Sequence, residues 1–150
     1  MRLTALLSAT AITAATSISA LAVEVRDCDW AASAQSLAEP WEKNTKVFGN
    51  GAVRIALIDT GGEPVCCSMQ LLILAEDKTD EQGNRMCRLV GDKSNLGYES
   101  IDFQRLTASY DPSRGLLLIF PYTLYVDGLS HRNGVARVRI NSARGTIRPE

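Results

Sequence analysis

The sequence predicts an all-β fold, a small β-sandwich or open barrel of about seven strands with one short N-terminal helix. Three observations carry that expectation. From Thr45 onward, apolar runs of strand length alternate with turn sequences at the spacing of roughly 8–12 residues common to sandwiches and barrels. Only one stretch, around Trp30 to Leu37, places apolar residues at helical spacing. No repeat, low-complexity tract or linker divides residues 23–150, which therefore read as one all-β domain.

Residues 1–22 begin with the cationic Arg2, continue through Leu, Ala, Ile and Thr, and end in Ala20-Leu21-Ala22. This is the form of a signal peptide cleaved before Val23. Thr and Ser interrupt it too often for a membrane anchor, which needs about 20 predominantly apolar residues. The longest later apolar run, residues 115–120, is strand-sized, so no membrane span is expected in the mature chain. A periplasmic or secreted protein follows.

Asp29 stands where it can cap a short helix carrying Trp30, Ala34 and Leu37 on one face, before Pro40 ends it. Residues 47–48 and 53–58 flank Gly49-Asn50-Gly51, which tolerates the positive φ of a tight hairpin. The next hairpin pairs residues 65–75 with 85–90 across the acidic, polar segment 76–84. Centred near Asp80, it sets Cys87 opposite about Ile73. Residues 101–110 and 115–122 are joined by Asp111-Pro112-Ser113-Arg114, where Asp bonds forward to the turn backbone and Pro presets φ. Pro121 lacks a ladder donor, so residues 122–126 are expected as a bent continuation or an edge strand. Residues 135–140 alternate Ala136, Val138 and Ile140 with Arg137 and Arg139, giving one buried and one wet face. The run 116–120, apolar on both faces, belongs in the middle of a sheet.

An export signal places Cys28, Cys66, Cys67 and Cys87 in an oxidising compartment, where an even count reads as two disulfides. Neighbouring side chains on a strand point to opposite faces, so a Cys66–Cys67 bond ranks last among the pairings. One of that pair is then expected on Cys28 and the other on Cys87. The hairpin register, however, holds Cys87 several residues from both and keeps a Cys28–Cys87 bond open. The spacing matches neither a C-x-x-C redox motif nor the paired cysteines of a zinc site.

Ala56-Leu57-Ile58-Asp59-Thr60-Gly61, an apolar strand ending in Asp-Thr-Gly, resembles the active-site segment of aspartic peptidases. The resemblance implies a catalytic aspartate that shares a proton with a second one, because two adjacent carboxylates do not both ionise. With one copy per chain, Asp59, Thr60 and Gly61 would act only in a homodimer. The sequence departs from the family at Gly62, where Ala or Ser is usual, and the run Leu118-Ile119-Phe120-Pro121 lacks the glycine that follows the family's later apolar strand.

His131 is the single histidine and reads as a solvated loop residue, without the orienting partner of a nucleophilic site. Charge is nearly balanced, with 16 Lys and Arg against 17 Asp and Glu. Arginines gather near the C-terminus, and Arg137, Arg139 and Arg144 are the candidate binding residues for an anionic surface or acidic partner. No aromatics interleave with them, which argues against nucleic acid. Trp30, Trp41, Phe103, Phe120, Tyr110, Tyr122 and Tyr125 could line a ligand groove, but core packing is the default reading for aromatics flanked by apolar residues. No nucleotide loop, metal spacing or complete nucleophile triad is present, so no cofactor or metal is expected. The sequence thus points to an exported non-catalytic binding module whose partner is a protein or glycan of the envelope. A homodimeric aspartic peptidase and a structural envelope component are the alternatives.

Overall fold

The computed structural model describes residues 23–61, 66–94, 96–128 and 130–150, and the leader expected over residues 1–22 lies outside them. The chain is all-β, with two antiparallel five-stranded sheets. The first comprises β1 (Glu24–Asp27), β2 (Thr45–Phe48), β3 (Val53–Asp59), β4 (Met69–Glu76) and β5 (Arg85–Gly91), in the order β1-β5-β4-β3-β2. The second comprises β6 (Ser100–Ile101), β7 (Thr107–Asp111), β8 (Gly115–Asp127), β9 (Ser130–Asn141) and β10 (Thr146–Pro149), in the order β10-β9-β8-β6, with β7 also on β8. Each sheet is thus contiguous in sequence.

The sheets pack through one apolar cluster. Ile55, Leu57, Leu71, Ile73 and Val90 meet Leu118, Phe120, Val138 and Ile140, all buried. Each such side chain contributes on the order of 1.5–3 kcal/mol by leaving water. The alternation of Ala136, Val138 and Ile140 therefore does face the core, as expected. Two aromatic rings join the layers: Tyr98 bridges to Met69 of β4, and its ring stacks on Tyr122 of β8 with centroids 4.3 Å apart. Gly134, opposite Tyr122 on β9, makes room for that ring, since a Cβ there would lie 2.4 Å from Tyr122 Cζ.

A second cluster lies on the outer face of the first sheet, where Ala56, Ile58, Leu72 and Leu89 are covered by Ala31 and Leu37. Residues 55–58 are consequently buried on both faces. The covering segment is not the helix expected from Asp29. Asp29 Oδ1 accepts only the Ala31 N–H, at 3.0 Å, and the one helical turn is the 3-10 turn Ala34–Ser36. Two helical turns are marginal without outside support. The sheet offers backbone partners instead: Leu37 bridges to Ile58, and the Ala38 N–H donates to the Leu57 carbonyl at 3.0 Å.

The strand count also differs, with ten strands among the described residues instead of seven. Four-residue β1 and β10 carry too few apolar positions to announce themselves. The expected strand 101–110 divides into β6, a 3-10 turn at Phe103–Arg105 and β7, because Asp102 caps the turn and Phe103 and Leu106 bend into the core. Pro121 sits inside an unbroken β8. On its side the ladder changes partner, from β7 (Thr107 opposite Ile119) to β6 (Ile101 opposite Tyr122), and the Asp102 N–H bonds its carbonyl at 3.0 Å. The missing donor falls in that gap.

Cys28 directly follows the last β1–β5 pair, Asp27 with Arg88, and is bonded to Cys87 with the Cα atoms 5.5 Å apart. Cys87 pairs with Leu74, one residue from its expected place. Cys66 and Cys67 are bonded to each other, the pairing ranked last from sequence. The reason is local. The strand expected from residue 65 begins only at Met69, and the two cysteines occupy a turn and bend, where neighbouring side chains need not diverge.

Candidate functional site

Along one side of the sandwich, where β2 and β7 are the free edges, the layers stand apart. Part of that gap is closed. Lys46 Nζ donates to the Phe103 carbonyl at 2.9 Å and lies 5.0 Å from the Phe103 ring centroid, and Gln104 Nε2 donates to the Lys43 carbonyl at 2.7 Å. The rest is a cleft of about 400 Å³ with Val53 and Ile140 as its floor and Phe48, Leu116 and Tyr110 as its walls. Glu76, Lys78 and Arg144 are its charged lining residues.

The lining is held by local chemistry. Asp111 Oδ1 accepts the Ser113 N–H at 2.8 Å, the Ser113 hydroxyl at 2.7 Å and the Arg114 N–H at 3.2 Å, as its place before Pro112 anticipates. Those bonds, the Ser113 hydroxyl first, hold its carboxyl below the usual range. Gly115 then takes φ +93°, and a Cβ there would lie 2.1 Å from the Ile140 carbonyl oxygen, so only glycine fits. Opposite, Asn141 Oδ1 accepts the Arg144 N–H at 3.0 Å and caps the 3-10 turn Ser142–Arg144. The Lys78 N–H donates to the Ser142 carbonyl at 2.9 Å, tying the loop after β4 to that turn.

A shallower groove of about 460 Å³ adjoins the cleft and shares Ser113, Asn141 and Arg144 with it. Its lining carries Arg114, Arg139, Arg144 and Arg148 against Glu150. Arg139 grips Glu150 through Nε at 2.6 Å and Nη2 at 2.8 Å, while Arg114 and Arg137 reach the same carboxylate at 3.0 and 3.5 Å. The hydrogen-bonded Arg139, followed by the charges of all three arginines, brings the Glu150 carboxyl down to about 2.

The structure thus divides the arginines named from sequence. Arg137 and Arg139 do share a face, but both engage Glu150, and Arg139 is buried. Arg144 stands apart from them at the junction of cleft and groove, exposed and with no ion pair among the described residues. Sequence reasoning missed Phe48 and Lys78 in the cleft, which meet Tyr110 and Arg144 only when the two sheets stack, and the Arg114–Glu150 pair in the groove, which joins two distant segments of the second sheet. The turn residues Asp111 and Gly115 were the available signal.

Asp59, Thr60 and Gly61 lie at the end of β3, away from the cleft lining. Asp59 Oδ1 accepts the Gly61 N–H at 2.9 Å, and the Thr60 N–H donates to the Ser68 carbonyl at 3.2 Å. Gly62 lies outside the described residues. His131 is in β9 instead of a loop, with Nδ1 2.6 Å from Glu99 Oε2. Of the aromatics expected in the core, Phe103, Phe120 and Tyr122 are buried, whereas Trp30 is 75% exposed, Tyr110 71% and Trp41 49%. Trp30 is carried on the covering segment and Tyr110 on an edge strand, so neither is sandwiched between sheets. Among the described residues no group of three or more His, Cys, Asp or Glu is placed to hold a metal, and no helix is long and apolar enough to cross a membrane. Comparison with protein-family models, curated proteins and solved structures finds no match.

Proposed function

We propose that the protein is an exported, non-catalytic binding module, and that its ligand enters the cleft between the β2 and β7 edges. The single observation supporting this reading is the cleft itself. About 400 Å³ lies within the range of roughly 300–1,000 Å³ typical of small-molecule sites, with an apolar floor and a few polar groups at hand. Its surroundings are rigidly built: a capped turn on one side, a turn tied by Asp111 on the other. Export is supported by the leader-like segment 1–22 and by the Cys28–Cys87 bond, which suits a periplasmic or secreted protein.

The test is a small-molecule screen by thermal shift, run on the mature protein and on Ala143→Trp. Ala143 is exposed and lines the cleft, so a tryptophan there obstructs it without disturbing the core. Compounds that raise the Tm of the parent and not of the variant support the reading. A screen in which every stabilising compound acts equally on both removes it.

A further inference from the structure

We infer that the ligand is a small anionic amphiphile, a single apolar chain ending in a carboxylate or phosphate; this rests on the binding reading above. The argument is the juxtaposition of two unlike surfaces. The cleft supplies an apolar floor and walls, from Val53 and Ile140 to Phe48 and Leu116. The adjoining groove supplies four arginines and one glutamate side chain. Between them stands Arg144, the charged residue common to both.

Three of its arginine neighbours are committed to Glu150, while Arg148, at the far end of β10, makes no ion pair among the described residues. Arg139 and Arg114 hold Glu150, and Arg137, which flanks them, holds it as well. The Arg144 guanidinium has no carboxylate partner among the described residues, while its backbone N–H is fixed on Asn141 Oδ1. Lys78, whose N–H donates to the Ser142 carbonyl of the same turn, likewise makes no ion pair among the described residues. The lining also carries the carboxylate of Glu76, which Arg85 approaches at 3.9 Å, so the two cations without a partner, Arg144 and Lys78, fit an anionic head with its chain turned inward. Arginine offers the paired donors that a carboxylate or phosphate accepts side by side. A neutral ligand would leave that charge unused, and a cationic one would meet it head on. The modest volume suits one chain better than the several chains of a membrane lipid.

Decanoate, decyl phosphate and decanol, each below its aggregation concentration, are titrated into ¹⁵N-labelled mature protein and followed by amide shifts. Both anions are expected to move the amides of Leu116, Ile140 and Arg144, and the tighter of the two identifies a fatty acid or a phosphorylated lipid as the source of the head group. Arg144→Ala is expected to weaken both anions about ten- to hundredfold, the range for a charged hydrogen bond, and to leave decanol unchanged. Ala143→Trp should abolish all three. Decanol binding as tightly as decanoate, or a folded Arg144→Ala variant with undiminished affinity for both anions, would overturn the inference. If screened compounds of other chemistry occupy the cleft and neither anion does, the amphiphile is wrong and the binding module stands. If nothing of any class moves the cleft amides, both fail.

Discussion

Asn141 holds Arg144 from one end and Arg114 from the other: its Oδ1 accepts the Arg144 N–H at 3.0 Å and its Nδ2 donates to the Arg114 carbonyl at 3.3 Å. One buried amide thereby joins the capped 3-10 turn to the turn after β7, the two loops that frame the cleft. Removing it leaves two backbone groups without their side-chain partner. Asn141→Ala is expected to lower stability by about 1–2 kcal/mol in urea unfolding, and Asn141→Ser, which keeps a capping oxygen, by less. Equal losses for both would assign the effect to the lost Nδ2 bond.

Gly134 is required by the ring opposite it. A Cβ at that position meets Tyr122 at 2.4 Å, and the ring has little freedom to retreat because it stacks on the fully buried Tyr98. Gly134→Ala should cost about 1–3 kcal/mol, the range for overpacking a filled core. Tyr122→Leu in the same chain should return part of that loss, measured as a double-mutant cycle. Additive effects would mean that the ring and the glycine are not coupled.

The disulfides make a prediction about both mass and motion. Non-reducing peptide mapping should find Cys28 joined to Cys87 and Cys66 joined to Cys67; any peptide linking Cys28 to Cys66 or Cys67 contradicts the fold. For a sequence separation of 59, loop-closure entropy alone gives about 4 kcal/mol. A Cys28→Ala, Cys87→Ala chain should lose stability of that order. Its hydrogen exchange should quicken first at Ala38, whose N–H holds the covering segment to β3. Leu89, fully buried beneath that segment, should cost about 2–5 kcal/mol on truncation to Ala, like any core leucine.

Glu150 makes stability depend on acid. Its carboxyl titrates at about 2 in the folded chain against an ordinary value of 4.5, so the folded state binds this proton less readily than the unfolded one. The resulting stabilisation is complete above about 4.5 and is lost as pH falls towards 2. Glu150→Gln should therefore lower the Tm at neutral pH, and the two chains should converge near pH 2. A difference that stays constant across that interval would show that packing, and not charge, gives Glu150 its effect.

What the sequence revealed was local. The Gly49-Asn50-Gly51 and Asp111-Pro112-Ser113-Arg114 turns fall where their residues demand, and the alternation around Arg137 and Arg139 gives the right inner face. What it concealed depends on distant partners. The helix expected after Asp29 yields to hydrogen bonds with β3, which no local propensity reports. The Cys66–Cys67 bond is disfavoured on a strand, but β4 begins only at Met69, and where the strand stops depends on partners that residues 65–68 do not display. The arginine stripe was legible as a pattern, but Glu150, which occupies it, comes from beyond the strand. Tyr110 was legible as a residue that could line a groove, but the cleft's position was not, since Phe48 and Tyr110 lie on strands of different sheets.

Because β1 to β5 all precede Asp92 and β6 to β10 all follow Glu99, a single cut near Lys93 would separate the molecule into two pieces, each holding one whole sheet. Both disulfides stay within the first piece. Each fragment would present the apolar face that the other is shaped to cover, so the pair has the makings of a split reporter, silent apart and restored on meeting.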